Sequence, residues 1–120
     1  MANKILIIDD DARNIFALKA TLKAKGYDCV TALSAQQGMA FLHNTEEIGI
    51  VLIDMMMPDM DGYEAIPKIK KDNGKLPVIA VTAQAMVGDR EKCLQAGADD
   101  YISKPINVDR LMEVLRKYLK

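Results

Sequence analysis

Five short strand-like runs separated by amphipathic stretches constrain this chain more than any other feature. The runs are Lys4–Ile8 (KILII), Tyr27–Thr31 (YDCVT), Ile48–Ile53 (IGIVLI), Pro77–Val81 (PVIAV) and Asp99–Ser103 (DDYIS). Runs of five or six residues, the apolar ones among them above all, suit strands covered on both faces in a parallel sheet. YDCVT is more polar than KILII, IGIVLI and PVIAV and suits an edge. The intervening segments carry helical periodicity. From Arg13 to Lys25, Ile15, Leu18 and Leu22 fall on one side and Lys19, Lys23 and Lys25 on the other, with Gly26 as a stop. Ser34-Ala35-Gln36-Gln37 has capping-box spacing and opens a helix whose apolar face is Ala35, Met39 and Leu42.

The third helical segment runs through Ala65, Ile66 and Ile69 to about Lys71, but Pro67 interrupts it. An interior proline costs about 3 kcal/mol, whereas the first turn has no amide partner to lose. The pattern therefore predicts a start near Tyr63 or Glu64 with Pro67 near the first turn, or else a kink. Ala85–Gln95 can form a fourth helix closed by Gly97, and Asn107 is expected to cap a fifth with Val108, Leu111, Leu115 and Tyr118 on one face. Five alternations of strand and helix predict an α/β fold: a five-stranded parallel sheet between two helical layers, a (βα)5 sandwich. The flavodoxin-like order 2-1-3-4-5 puts the polar second strand at an edge and the most apolar strands inside.

A chain of 120 residues, half of them apolar, makes one domain. Sixteen basic residues against seventeen acidic ones leave no field that argues for nucleic acid or an anionic membrane as a direct partner. Cys29 and Cys93 have no metal-ligand or disulfide spacing and read as reduced thiols. No run approaches the roughly 20 apolar residues of a membrane span, and Asp9-Asp10-Asp11 directly after Ile8 rules out a signal peptide, so a cytoplasmic location is expected.

In this fold ligands bind beyond the carboxyl ends of the strands. Strand one ends at Asp9 and Asp10, strand three at Asp54, strand four at Thr82, and strand five leads to Lys104. Carboxylates about 5 Å apart repel by roughly 3 kcal/mol per pair at an effective dielectric near 20. Such a cluster makes sense around a hard divalent cation, and oxygen ligands without His or Cys favour Mg²⁺. Asp11 is free to cap the following helix. A carboxylate beside Mg²⁺ is a competent nucleophile toward phosphorus, and Lys104 and the Thr82 hydroxyl are placed to contact phosphoryl oxygens. Lys104 alternatively forms an ion pair with Asp54. The two arrangements suit two states of one switch.

At these residues the chain resembles the receiver domain of two-component response regulators, both stand-alone chemotaxis-type regulators and receivers of hybrid histidine kinases. The motifs are ILIIDDD (Ile5–Asp11), VLIDMMMPDMDG (Val51–Gly62), VIAVTA (Val78–Ala83), AGADDYISKP (Ala96–Pro105) and the final helix. The resemblance implies that Asp54 is the phosphoacceptor. It also implies that Asp10, Asp54 and the Met56 backbone carbonyl hold Mg²⁺, with Asp9 acting through water. Thr82 would be the switch hydroxyl, Lys104 the switch amine and Tyr101 the aromatic switch residue, with a cis Lys104-Pro105 bond. The implied donor is a histidine kinase or histidine phosphotransfer domain. The implied output is a protein target on the surface of the fourth helix, fifth strand and fifth helix, where a phosphorylation-dependent homodimer also fits. Such a domain is a signalling phosphoacceptor that takes part in its own phosphorylation and autodephosphorylation. It is not an enzyme in the ordinary sense.

Met55 and Met57 read as packing, Met56 as an apolar flank of the pocket able to slow water attack, and His43 as a residue on an exposed helix face. The chain ends just after the fifth helix, so no effector domain is expected. It reads either as a complete regulator or as a receiver from a longer kinase. Three rival readings are weaker. A flavin binder would need a phosphate-cradling loop where Asp9-Asp10-Asp11 stands. An aspartyl phosphohydrolase would need a second Asp where Met56 stands, and a pseudo-receiver would lack part of a pocket that is complete here.

Overall fold

The computed structural model describes residues 3–44, 46–83 and 88–119. Strands β1 (Lys4–Ile8), β2 (Cys29–Ala32), β3 (Ile48–Asp54), β4 (Val78–Thr82) and β5 (Asp100–Ser103) alternate with helices α1 (Ala12–Ala24), α2 (Ala35–Asn44), α3 (Gly62–Asp72), α4 (Asp89–Gln95) and α5 (Val108–Tyr118). The sheet is wholly parallel in the order β2-β1-β3-β4-β5. The expected flavodoxin-like arrangement is the observed one. Alternation along each strand divides the core in two. Leu6, Ile8, Val51, Ile53, Val78 and Ala80 meet α2, α3 and α4, while Ile5, Ile7, Ile50, Leu52, Ile79 and Val81 meet α1 and α5. Cys29 and Cys93 belong to opposite layers, and both are free thiols. Among the described residues no helix is long and apolar enough to cross a membrane.

Several boundaries depart from expectation. The second strand starts at Cys29, not Tyr27, because the Tyr27 amide donates to the Leu22 carbonyl at the end of α1, where Gly26 takes φ +90°. Helix α3 starts at Gly62, capped by Asp61, so Pro67 sits in its second turn and not in the first. Proline there removes the amide that would bond the Tyr63 carbonyl; Pro67 is exposed, and water can take its place. On α5 the buried stripe is Leu111, Val114 and Leu115, with Tyr118 half-buried, while Val108 at the first position is exposed. The expected start of the fourth helix at Ala85 lies outside the described residues. Asn107 caps α5 as expected, accepting from the Arg110 amide at 3.1 Å.

Gly62 is required by close approach. A Cβ there would lie 2.9 Å from Met55 Cα and overlap the Met55 sulfur. This contact pins the start of α3 under the residue that follows Asp54.

Candidate functional site

Parallel pairing brings the carboxyl ends of β1, β3, β4 and β5 to one rim. Ile8 pairs with Ile53 and Asp54 with Val81, so Asp9 and Asp54 leave adjacent strands side by side. Ligand oxygens of Asp9, Asp10 and Asp54 all lie within 4.8 Å of one another. Asp9 and Asp54 are buried, and Asp10 is exposed at the mouth. Each inner carboxylate is held by a backbone amide two residues on. Asp11 N–H donates to Asp9 Oδ1 at 2.9 Å, and Met56 N–H donates to Asp54 Oδ1 at 3.0 Å. Asp11 itself accepts from the Arg13 amide and caps α1.

Lys104 closes the cluster. Its Nζ stands 3.3 Å from Asp54 Oδ2 and 3.7 Å from Asp9 Oδ2. Its backbone N–H donates to the Thr82 carbonyl at 2.7 Å, and the Lys104-Pro105 peptide is cis as expected. Thr82 ends β4 beside Ser103 and is 1% exposed. Tyr101, half-buried on β5, packs against the layer of α2, α3 and α4. Its carbonyl accepts from Arg110 Nη2 at 3.0 Å, and the same nitrogen lies 3.0 Å from Asp100 Oδ1. A cleft of about 530 Å³ opens beside Asp54 and Lys104, between α1 and the start of α5, and is walled by Leu18, Ile106 and Leu111.

The electrostatics carry a cost. Burial pushes the Asp9 carboxyl above its ordinary range, and the neighbouring Asp54 charge adds to this; the Asp11 amide and Lys104 oppose it. Three carboxylates facing one ammonium leave a net negative pocket whose donors are all oxygen. That donor set fits a hard divalent cation and no soft metal.

Asp9, Asp10, Asp54 and Lys104 are therefore brought together, Thr82 lies at the adjacent strand end, and Tyr101 lies on the strand beyond. Sequence reasoning missed Arg110, which ties α5 to the backbone at Tyr101, and the contact of Gly62 with Met55. Gly62 has a signal, being a glycine at a helix start. Arg110 has none, because its partners lie on another element. His43 is exposed on α2, away from the cluster.

Comparison with known proteins bears on this geometry. The hybrid signal transduction histidine kinase I of Dictyostelium discoideum is 38% identical over 93% of the chain, which spans 7% of that kinase's length. The polar-differentiation response regulator DivK of Brucella ovis is 34% identical over 99% of the chain and 98% of its own. The receiver domain of the sensor histidine kinase PA1611 from Pseudomonas aeruginosa PAO1, solved with a magnesium ion coordinated in its active-site cleft, has a TM-score of 0.88 at 31% identity, covering 99% of this chain and 98% of that one. Residues 5–116 match the response regulator receiver domain, and the chain belongs to that family.

Proposed function

We propose that this receiver domain is the phosphoacceptor of a His-Asp relay, with Asp54 as the residue phosphorylated. One observation carries the reading: Asp54 is buried at a strand end with Asp9 and Asp10 within 4.8 Å and Lys104 at 3.3 Å. A carboxylate so placed is aimed at an incoming electrophile and surrounded by charges that have little structural use. Asp10, Asp54 and the Met56 carbonyl would hold Mg²⁺, with Asp9 acting through water, a reading that the magnesium site of the PA1611 receiver supports. When bound, the ion neutralises charge on the transferring group. An oxygen of Asp54 attacks phosphorus in line, the P–N bond of a phosphohistidine breaks, and its electron pair returns to the imidazole. Lys104 exchanges its Asp54 contact for a phosphoryl oxygen, and the Thr82 hydroxyl donates to another.

Drawing Thr82 toward the phosphate vacates space that Tyr101 enters. Because Arg110 holds the Tyr101 carbonyl, the change reaches α5 and alters the α4-β5-α5 face on which a downstream protein, or a second copy, would dock. The phosphoryl donor is a histidine kinase or a histidine phosphotransfer domain. Incubation with Mg²⁺ and acetyl phosphate should give one acid-labile phosphoryl adduct, absent in Asp54→Asn. An adduct that survives in Asp54→Asn overturns the assignment.

A further inference from the structure

The amino end of β5, opposite the rim that carries the carboxylates, is gripped by side chains from both helical layers. From α3, Lys70 Nζ donates to Asp99 Oδ2 at 2.9 Å and to the Leu76 carbonyl at 2.8 Å. The same Asp99 oxygen accepts from the Val78 amide at the start of β4, at 2.8 Å. From α5, the Tyr118 hydroxyl donates to the Asp99 carbonyl at 3.0 Å and stands 3.4 Å from Asp100 Oδ2. Asp100 Oδ1 accepts from the Tyr101 amide at 2.8 Å and from Arg110 Nη2 at 3.0 Å. Helices α3 and α5 pack on opposite faces of the sheet, so Asp99 and Asp100 tie the two layers together around its β5 edge.

These contacts are partly sheltered from water. The Asp100 side chain is 14% exposed and that of Lys70 21%. Charge-assisted bonds at such sites hold more firmly than fully exposed ion pairs, which contribute little. Arg110 and Tyr118 are two turns apart on α5, about 12 Å along its axis. Two attachments so far apart oppose any turn of α5 relative to β5, so strand and helix shift together. At the other end of the strand, Lys104 reaches Asp54 at 3.3 Å, a contact that phosphorylation exchanges.

We propose that Asp99 and Asp100 are positioning residues that make β5 and α5 one lever, pivoted at Asp99 and displaced at the Lys104 end. The inference rests on Asp54 being the phosphoacceptor, and it places the change that a partner reads at the first two turns of α5. The last turn, beside the pivot, stays where it is.

Hydrogen exchange, followed segment by segment, tests the lever. The protein, Tyr118→Phe and the Lys70→Met, Tyr118→Phe double variant are compared with and without Mg²⁺ and acetyl phosphate, and adduct yield is measured in the same samples. In the parent, phosphorylation should change exchange by about threefold or more across residues 104–112 and by less than about 1.5-fold across 114–118. In the double variant the two segments should respond alike, with adduct yield unchanged. Tyr118→Phe removes only a hydroxyl and should shift the profile the same way to a smaller degree, which keeps the test decisive if the double variant unfolds. An even response along α5 in the parent overturns the proposal. So does a variant whose exchange rises equally with and without phosphorylation, since that is loss of stability alone. Either result leaves Asp54 as acceptor, whereas absence of an adduct in the parent overturns both readings.

Discussion

Asp9 carries a charge that costs the fold. It is 7% exposed and shares its pocket with Asp54, while the Asp11 amide and a 3.7 Å contact to Lys104 act in its favour. Its carboxyl is raised above the ordinary 3.8, so the folded state keeps a proton that the unfolded chain has already released. Its contribution to stability therefore falls as pH climbs from the ordinary value through the raised one, and the cost is complete above the raised one. Asp9→Asn removes the charge and keeps the shape. Urea unfolding in EDTA should show Asp9→Asn more stable than the parent near neutral pH by about 1 kcal/mol, the scale of a partly solvated charge pair. The gap should shrink as pH is lowered from about 7 to about 4, toward the ordinary carboxylate range. A variant less stable than the parent at neutral pH would mean that Asp9 serves the fold and not a ligand.

At the scale of the elements, the stretch from Asp54 to the start of α3 is held by backbone contacts. Met55 N–H donates to the Val81 carbonyl at 2.9 Å, and Gly62 N–H to the Met55 carbonyl at 3.3 Å. Gly62→Ala forces a Cβ to within 2.9 Å of Met55 Cα, and backbone cannot yield as a side-chain tip does. Overpacking of this kind costs about 1–3 kcal/mol, so thermal unfolding of Gly62→Ala should fall by several degrees. Pro67→Ala should act in the opposite sense. It supplies an amide for the Tyr63 carbonyl at an exposed position in the second turn, and denaturant unfolding should register a gain of about 1–2 kcal/mol, part of the interior proline penalty being offset by a looser unfolded chain.

These two residues also mark where the sequence is legible. A period of two or 3.6 depends on neighbours along the chain, so the ten elements, the sheet order and the strand-end carboxylates could all be read from it. The exact start of α3 depends on Gly62 meeting Met55, and the start of β2 on Tyr27 bonding back to Leu22. The link from Arg110 to Tyr101 depends on α5 lying beside β5. Each is a tertiary contact that no local pattern encodes. Within the site, the residue types were readable and the spacing of their atoms was not, because strand register sets it.

For the molecule as a whole, the core and the site make opposite demands on one sheet. Both faces of β1, β3 and β4 are covered by helices, and this packing brings Asp9 and Asp54 together at the strand ends with Asp10 beside them. Lys104 offsets part of the repulsion from one side, leaving the remainder as free energy that a cation can recover by binding the folded state alone. The unfolded chain has no such cluster, so Mg²⁺ should raise the melting temperature by mass action. At tenfold above its dissociation constant the gain is about 1.4 kcal/mol, or about 5 °C for a domain of this size. Calorimetric scans across a Mg²⁺ titration should show the midpoint climbing with the logarithm of concentration, and EDTA should return it to its starting value. In Asp54→Asn the rise should shrink sharply, since the central ligand has lost its charge while the packing around it is unchanged. Equal rises in Asp54→Asn and the parent would place the ion elsewhere on the surface, and the strand-end carboxylates would then need another reason for being together.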